Sequence, residues 1–127
     1  MRVIVTGVHV TDPHRAHAFY TEVLGMRDVV VVPEHELFIV GPSTGWEQGC
    51  QIVLERIEDP VVQAYCERQH REGNSALMLG VPDAELEYRR LKERGDIVFH
   101  EELTKDILGL HFQIDDTVGN ILSIHTA

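Results

Sequence analysis

The sequence predicts an α+β protein built from two copies of one βαβββ unit. Apolar residues recur every second position in some stretches, as in strands, and every three to four positions in others, as in helices, and the two kinds of stretch alternate along the chain. One pattern, a strand followed by Asp, a helix and Gly, occurs twice. Each copy of that pattern is followed by three short strand-like segments. The 127 residues, 43% of them hydrophobic, suit one domain with one core. We therefore predict a single domain in which module one (1–57) and module two (74–127) are joined by a connecting helix (59–73).

The first copy of the pattern begins with a strand of period two that ends at Val10. Asp12 follows, where its side-chain oxygen can accept hydrogen bonds from the free amides of a helix's first turn. Pro13 suits the first helical position because it has no amide to leave unsatisfied. Apolar residues then recur at helical spacing until Gly25, which favours the left-handed conformation that ends a helix.

The second copy repeats these features about seventy residues later. A strand reaches Val81, Asp83 is placed to cap a helix, and Gly95 ends that helix. When Asp83 is aligned with Asp12, the strands match residue for residue, and the closing glycines are one position out of step.

Weaker patterns complete both modules. The predicted strands are 2–10, 28–32, 37–40 and 50–57 in module one, and 74–81, 97–100, 111–115 and 121–126 in module two. We predict loops at 41–49 and 101–109 and a turn at 116–120. Trp46 lies in the first loop, where it would either cover a ligand pocket or pack on a core edge.

Composition excludes several partners. Twenty-one acidic against eleven basic side chains give a formal net charge of −10, which disfavours nucleic acid and anionic membranes as partners. Cys50 and Cys66 are too few for a disulfide scaffold, and neither a signal peptide nor a membrane-length apolar run is present. These features predict a cytoplasmic protein.

Three stretches, HVTDPHRAHAFYTEVLGM, VPDAELEYRRLKERG and DDTVGNILSI, together resemble the vicinal oxygen chelate superfamily. This group contains glyoxalases, bleomycin-resistance proteins and ring-cleaving dioxygenases. The resemblance covers essentially the whole chain, and the first stretch is the most specific. It implies two βαβββ modules whose mixed sheet curls into a cup with the helices outside. It also implies a ligand site inside the cup and a homodimer.

The resemblance also implies where a metal would be held. Metal-dependent members place one ligand seven residues before the motif aspartate of each module and another on the last strand of each module. In this sequence the four positions are Val5, Val53, Ala76 and Ser123. Valine and alanine offer no nitrogen or oxygen donor to a divalent metal. We therefore expect no metal and no cofactor at these positions, and neither metal-dependent glyoxalase nor dioxygenase activity.

Strand parity predicts which side chains line the cup. We expect an apolar floor and polar walls that suit an uncharged or cationic organic molecule with a flat apolar part. The predicted floor is Val5, Val53, Ala76 and Met78, and the predicted polar residues are His9, Gln51, Glu55, His111, Ser123 and His125.

Several alternatives remain open at this stage. The cup histidines would be ordinary hydrogen-bonded residues, a ligand-recognition set or an improvised metal site. Besides a binding protein, the sequence allows a metal-independent enzyme that uses Glu55 or His111 for proton transfer. It also allows a lyase or dioxygenase with an improvised metal site, and a domain kept for association alone. The remaining histidines on helices and turns are expected to face solvent; they are His14, His17, His35 and His70.

Overall fold

The computed structural model describes residues 1–44 and 49–127, and its elements follow the predicted order. The expectation for Trp46 lies outside the described residues. The strands are β1 (Val5–Val10), β2 (Arg27–Val32), β3 (Leu37–Gly41), β4 (Gln51–Arg56), β5 (Ser75–Val81), β6 (Phe99–Asp106), β7 (Gly109–Asp115) and β8 (Ile121–Thr126). The α-helices are α1 (Pro13–Ala18), α2 (Pro60–Arg71) and α3 (Ala84–Arg94).

The strands form two open, four-stranded mixed sheets with the same topology. One has the order β1-β4-β3-β2 and the other the order β5-β8-β7-β6. In each sheet the first strand pairs in parallel with the last strand of its module, and the other neighbours are antiparallel. The predicted α+β class and the two βαβββ modules are therefore confirmed.

The chain divides into two compact units, each built around one of these sheets. Unit 1 contains residues 1–65 and 117–119, and unit 2 contains residues 66–116 and 120–127. The tip of the turn between β7 and β8 thus belongs to unit 1, where the Thr11 amide donates to the Val118 carbonyl over 3.0 Å. Among the described residues, the structure contains no helix with the length and apolarity needed to cross a membrane.

The two predicted helix caps form in the same way. Asp12 and Asp83 have extended backbones with φ of −147° and −145°, and each side chain accepts from the amides two and three residues later. In unit 2 a further contact fixes the helix start, because the Ala84 amide donates to Thr126 Oγ1 over 2.9 Å. A local sequence pattern therefore sets where both helices begin.

The helix that starts at α1 differs from α3 in its second half. It continues from Phe19 to Val23 as a π-helical turn before Gly25 adopts a φ of 73°. A π-turn accommodates one residue more than an α-turn, which accounts for the one-residue offset between Gly25 and Gly95 in the aligned copies. The sequence predicted a regular helix here and missed the insertion.

Each unit buries one face of its sheet under a helix. In unit 1, α1 packs on β3 and β4, and in unit 2, α3 packs on β7 and β8. Ring contacts fix the orientation in unit 2, where Tyr88 of α3 lies 5.4 Å from Phe112 of β7 between centroids. The largest fully buried side chains include Tyr20, Phe38, Leu54 and Val10 in unit 1, and Phe112, Leu91, Ile114, Leu122 and Ile124 in unit 2.

Two predicted elements differ from the structure by three or more residues. β1 begins at Val5 and not at Arg2, since residues 2–4 are exposed and outside the paired register. The segment 101–109 is not a loop, because β6 continues to Asp106 and turns through Ile107 and Leu108 into β7. Its residues are mostly polar and exposed, as is common on an edge strand, so they lack the apolar alternation that predicts a strand.

Candidate functional site

In unit 1, the sheet face away from α1 carries five of the predicted site residues. Along β1 and β4 these residues alternate with side chains buried against the helix. The parallel register aligns Val5 with Gln51, Gly7 with Val53, and His9 with Glu55. The parity predicted from sequence therefore holds for this face, whose predicted residues are Val5, His9, Gln51, Val53 and Glu55.

Gly7 shapes the middle of this face. A Cβ atom at Gly7 would lie 3.2 Å from Glu55 Oε1 and 3.7 Å from Val53 Cγ1. The missing side chain thus lets the carboxylate of Glu55 fold over β1 beside the apolar Val53. Glu55 is exposed and Val53 is half-buried, so a negative charge and an apolar surface are offered side by side.

Unit 2 brings three predicted site residues into direct contact. His111 on β7 is in register with His125 on β8, and their rings stack with centroids 4.7 Å apart and planes 15° apart. Ser123 Oγ lies 2.6 Å from Nε2 of His125. All three side chains are buried. They form a polar set on the sheet face opposite Phe112 and Ile124.

Two acidic residues beside His111 were missed by the sequence analysis. Glu101 Oε1 lies 2.8 Å and Asp106 Oδ2 lies 3.5 Å from His111 Nε2, and the Gly109 carbonyl lies 3.1 Å from Nδ1. Glu101 Oε1 is close enough to His111 Nε2 for an ion pair, but the two atoms do not form a hydrogen bond. Both ring nitrogens face oxygen acceptors, and a neutral imidazole can donate from only one of them.

The sequence analysis missed these residues because it predicted a loop at 101–109, and the sheet is also irregular there. The register between β6 and β7 shifts between Phe99 and Glu101. As a result both Phe99 and Glu102 contact Tyr88, while Glu101 turns to the face of His111. Simple alternation would not place these side chains, and no signal in the sequence marks the shift.

The two other predicted residues of unit 2 lie on β5. Met78 is in register with Ser123, and its side chain is 61% exposed. The pairing passes from Ser75 to Leu77 and skips Ala76, so the parity assumed for Ala76 is interrupted there. Met78 therefore belongs to the same face as the histidine pair. Ala76 is the extra residue of a β-bulge, so alternation along β5 does not assign it to a face.

The four positions to which the resemblance assigns metal ligands carry no complete ligand set. Val5 and Val53 lie in unit 1, and Ala76 and Ser123 lie in unit 2. Three of these side chains are hydrocarbon, and the hydroxyl of Ser123 is already in contact with His125. Such a set does not fit a divalent metal.

Two of the histidines expected to face solvent have carboxylate partners instead. His17 Nε2 lies 2.6 Å from Asp28 Oδ1, and the ring stacks on Phe38. His70 Nε2 lies 2.7 Å from Asp115 Oδ2. Each partner is distant in sequence, so only the folded chain could reveal the pair. His14 is more exposed and approaches Glu36 at 4.0 Å.

Comparison with known proteins settles the family. Residues 2–124 match the family model described as Glyoxalase/Bleomycin resistance protein/Dioxygenase superfamily. The chain belongs to this superfamily. Within it, the chain is 36% identical to the uncharacterized protein YurT of Bacillus subtilis (strain 168), in an alignment of 127 residues that covers 98% of each chain.

Solved structures of the superfamily's fold resemble this member over nearly its whole length. UcmS2 has a TM-score of 0.80 with 23% identity and covers 100% of this chain and 98% of its own. TnmS3, an antibiotic binding protein from Streptomyces sp. CB03234, has a TM-score of 0.76 with 20% identity and coverages of 99% and 95%. The bleomycin-binding protein of Streptomyces verticillus, solved with copper(II)-bleomycin, has a TM-score of 0.70 with 12% identity and coverages of 100% and 97%.

Proposed function

We propose that this superfamily member binds a small organic molecule on a sheet face away from its helices, without the metal of its metal-dependent relatives. One sequence feature carries the proposal: Val5, Val53, Ala76 and Ser123 occupy the four positions to which the resemblance assigns the metal ligands. Hydrocarbon side chains there remove the Lewis acid and enlarge the apolar surface.

The face of unit 1 suits a cationic or uncharged ligand with a flat apolar part. Val5 and Val53 supply apolar contact, and the carboxylate of Glu55, folded over Gly7, supplies a negative charge next to it. Gln51 adds an amide that can both donate and accept hydrogen bonds. A ligand that places a positive group over Glu55 would rest its apolar part on the valines.

We propose the corresponding face of unit 2 as a separate surface with more polar recognition. Met78 is exposed, and its flexible thioether adapts to varied ligand shapes. His111, Ser123 and His125 are buried and are held in fixed positions by their mutual contacts, so they would reach a ligand only after a side chain that covers them moves. We propose His9, at the end of the face of unit 1, as a further polar contact.

Two structural neighbours are described as binding molecules of this ligand class. TnmS3 is described as antibiotic binding, and the protein from Streptomyces verticillus was solved with copper(II)-bleomycin. Their identities to this chain, 20% and 12%, support the fold alone. The proposal therefore depends on the side chains of this protein, and its ligand is defined by chemistry: a drug-like or metabolite-like organic molecule.

A thermal-shift screen against metabolites and cationic drugs tests the proposal. A ligand at a hundred times its Kd stabilises the folded protein by about 2.7 kcal/mol, which a melting curve resolves. The hit is then titrated against the parent, Val53→Trp and the control His14→Ala. We expect Val53→Trp to weaken binding at least tenfold and His14→Ala, an exposed residue on the helix side, to leave it unchanged. Equal affinity of Val53→Trp and parent would remove the face of unit 1 as the site.

A metal-independent enzyme is the second candidate, and the contact between His111 and Glu101 favours it. A carboxylate 2.8 Å from an imidazole needs only a small rotation to accept a hydrogen bond from it and so to orient it for proton transfer. The screen's hit distinguishes the two functions, since incubation with a binding protein returns the compound unchanged. Mass spectrometry that finds a product with the parent and none with His111→Gln would establish the enzyme. Glu55 would be compared in the same way.

We also propose that the protein assembles as a homodimer. β1 is an edge strand of the first sheet, and exposed apolar side chains lie at its N-terminal end. Val3 and Ile4 precede β1, and Val5 is its first residue. An exposed apolar sheet edge is a surface that a second copy can cover. Sedimentation velocity at micromolar concentration should give about twice the mass of the chain. A monomer across that range would contradict the dimer.

A cytoplasmic location is part of the proposal. Cys50 and Cys66 are both free thiols, as expected of a protein kept in a reducing compartment. Fractionation of cells that express the untagged chain would locate it. Recovery with the exported proteins would contradict this part.

A further inference from the structure

A second histidine group lies at the ends of three elements of unit 2. His70 is the penultimate residue of α2, His100 is the second residue of β6, and Asp115 is the last residue of β7. The Nε2 atoms of both histidines lie 2.7 Å from Oδ2 of Asp115. The two rings meet edge to face, with centroids 5.1 Å apart. Two imidazole nitrogens and one carboxylate oxygen therefore converge.

Backbone hydrogen bonds hold the three contributing segments in place. The Asp115 amide donates to the Val98 carbonyl over 2.9 Å, next to the paired residues Phe99 and Ile114, which fixes His100 beside Asp115. On the helix, the Gly73 amide donates to the His70 carbonyl over 3.1 Å, and Gly73 has a φ of 78°. The site is therefore formed by ordered elements and does not require a loop to fold onto it.

The donor atoms are close to the spacing that a metal needs. All three lie within 4.8 Å of one another. Ligand atoms about 2.0 Å from a tetrahedral zinc are about 3.3 Å apart, so small side-chain rotations would fit an ion among them. In the part of the chain that the structure describes, this is the only group of three or more His, Cys, Asp or Glu residues with donors that close.

A plain hydrogen-bonded pair looks different in the same molecule. His17 and Asp28 of unit 1 form a contact of 2.6 Å with a single imidazole. At Asp115, two imidazoles contact the same carboxylate oxygen. The three side chains are 36%, 27% and 16% exposed for His70, His100 and Asp115, so an ion could reach them and retain water. The net charge of −10 also raises the local concentration of cations.

We propose that His70, His100 and Asp115 bind one divalent transition-metal ion, with Zn²⁺ as the ion that this set of two nitrogens and one oxygen suits. In the structure each Nε2 faces a carboxylate oxygen that can only accept, so each ring carries its proton on Nε2. Binding the ion moves that proton to Nδ1 and frees the Nε2 lone pair, with no net release of a proton from a neutral ring. The ligand charge of −1 becomes a net charge of +1. Three protein ligands leave a fourth position for water or for an oxygen of a bound molecule, as in open zinc sites.

The site shares no residue with the four positions of the superfamily's metal or with the proposed ligand-binding faces. A failed test of the zinc site would therefore leave the proposed function unaffected, and the reverse also holds.

Zinc titration of the untagged, chelator-treated protein tests the site. Competition with a chromophoric chelator should give one equivalent of Zn²⁺ for the parent. His70→Gln, His100→Gln and Asp115→Asn should each weaken it at least tenfold. The matched controls are His17→Gln, which breaks the other histidine-aspartate contact, and His125→Gln, which alters the other histidine pair. Both should bind Zn²⁺ as the parent does.

Two further measurements keep the test decisive if a variant is unstable. Zn²⁺ should raise the Tm of the parent and of the controls but not the Tm of the three site variants. In the parent itself, added Zn²⁺ should shift the imidazole NMR signals of His70 and His100 and leave those of His111 and His125 in place. Substoichiometric binding by the parent, or full binding by His70→Gln, would overturn the site. If His125→Gln lost Zn²⁺ binding and His70→Gln kept it, the proposed zinc site would be wrong. The same result would contradict the proposal that the sheet face carrying His125 holds no metal.

Discussion

Ser123 Oγ lies 2.6 Å from Nε2 of His125 on the buried strand β8, and the ring of His125 stacks on that of His111. The hydroxyl and the imidazole thus satisfy each other where water is excluded. Because one residue depends on the other, their substitutions should not be additive.

A double-mutant cycle measures that dependence. Ser123→Ala should cost about 1 kcal/mol of unfolding free energy in the parent, the usual net value of a buried hydrogen bond. In His125→Phe, which keeps a ring for His111 to stack on, the same change should cost nothing or stabilise, because it removes an unsatisfied hydroxyl. Urea unfolding of the four proteins gives the values, and strict additivity would contradict the contact.

The core of unit 2 predicts a contrast between two leucines of one helix. Leu91 on α3 is fully buried, while Leu86 on the same helix is 67% exposed. Leu91→Ala should cost about 2–5 kcal/mol because it leaves a cavity. Leu86→Ala should change stability by less than about 0.5 kcal/mol. Similar losses of urea midpoint in both variants would show that α3 packs differently.

The turn between β7 and β8 rests on a buried carboxylate. Asp116 accepts from the amide and from the side-chain nitrogen of Asn120, both over 2.9 Å. Asp116→Ala should cost about 2–4 kcal/mol because buried donors lose their acceptor. Asp96→Ala, which removes an exposed ion pair with Arg94, should cost less than about 1 kcal/mol. Chemical denaturation of both variants checks the order.

Acid should weaken the contact between α3 and β6. Hydrogen bonds from Tyr88 and Lys92 hold the pKa of Glu102 below its usual value of 4.5. A lowered folded-state pKa gives stability that is complete above the unfolded value and is lost as the pH falls through the folded value. Urea midpoints of the parent and Glu102→Gln should therefore converge as the pH falls below 4.5 and passes through the lowered pKa of Glu102. A gap that stays constant would contradict this contribution.

The sequence alone determined the repeated unit, the two helix starts and the faces of β1 and β4. These features depend on residues near one another along the chain: Asp12 and Asp83 reach amides two and three positions ahead, and alternation along a strand is local. The mixed sheet was implied by the resemblance to the superfamily and not by these local patterns. Residue type alone also showed that the side chains of Val5, Val53 and Ala76 have no atom that can bind a metal.

Only the tertiary structure decided which polar groups meet. The register shift before Glu101 turns that carboxylate toward His111, and the skipped Ala76 interrupts the parity of β5. Likewise, His70, His100 and Asp115 come from a helix and two strands that approach one another only in the folded unit. A one-residue irregularity costs little free energy locally yet changes the face of every side chain after it, so periodicity cannot reveal it.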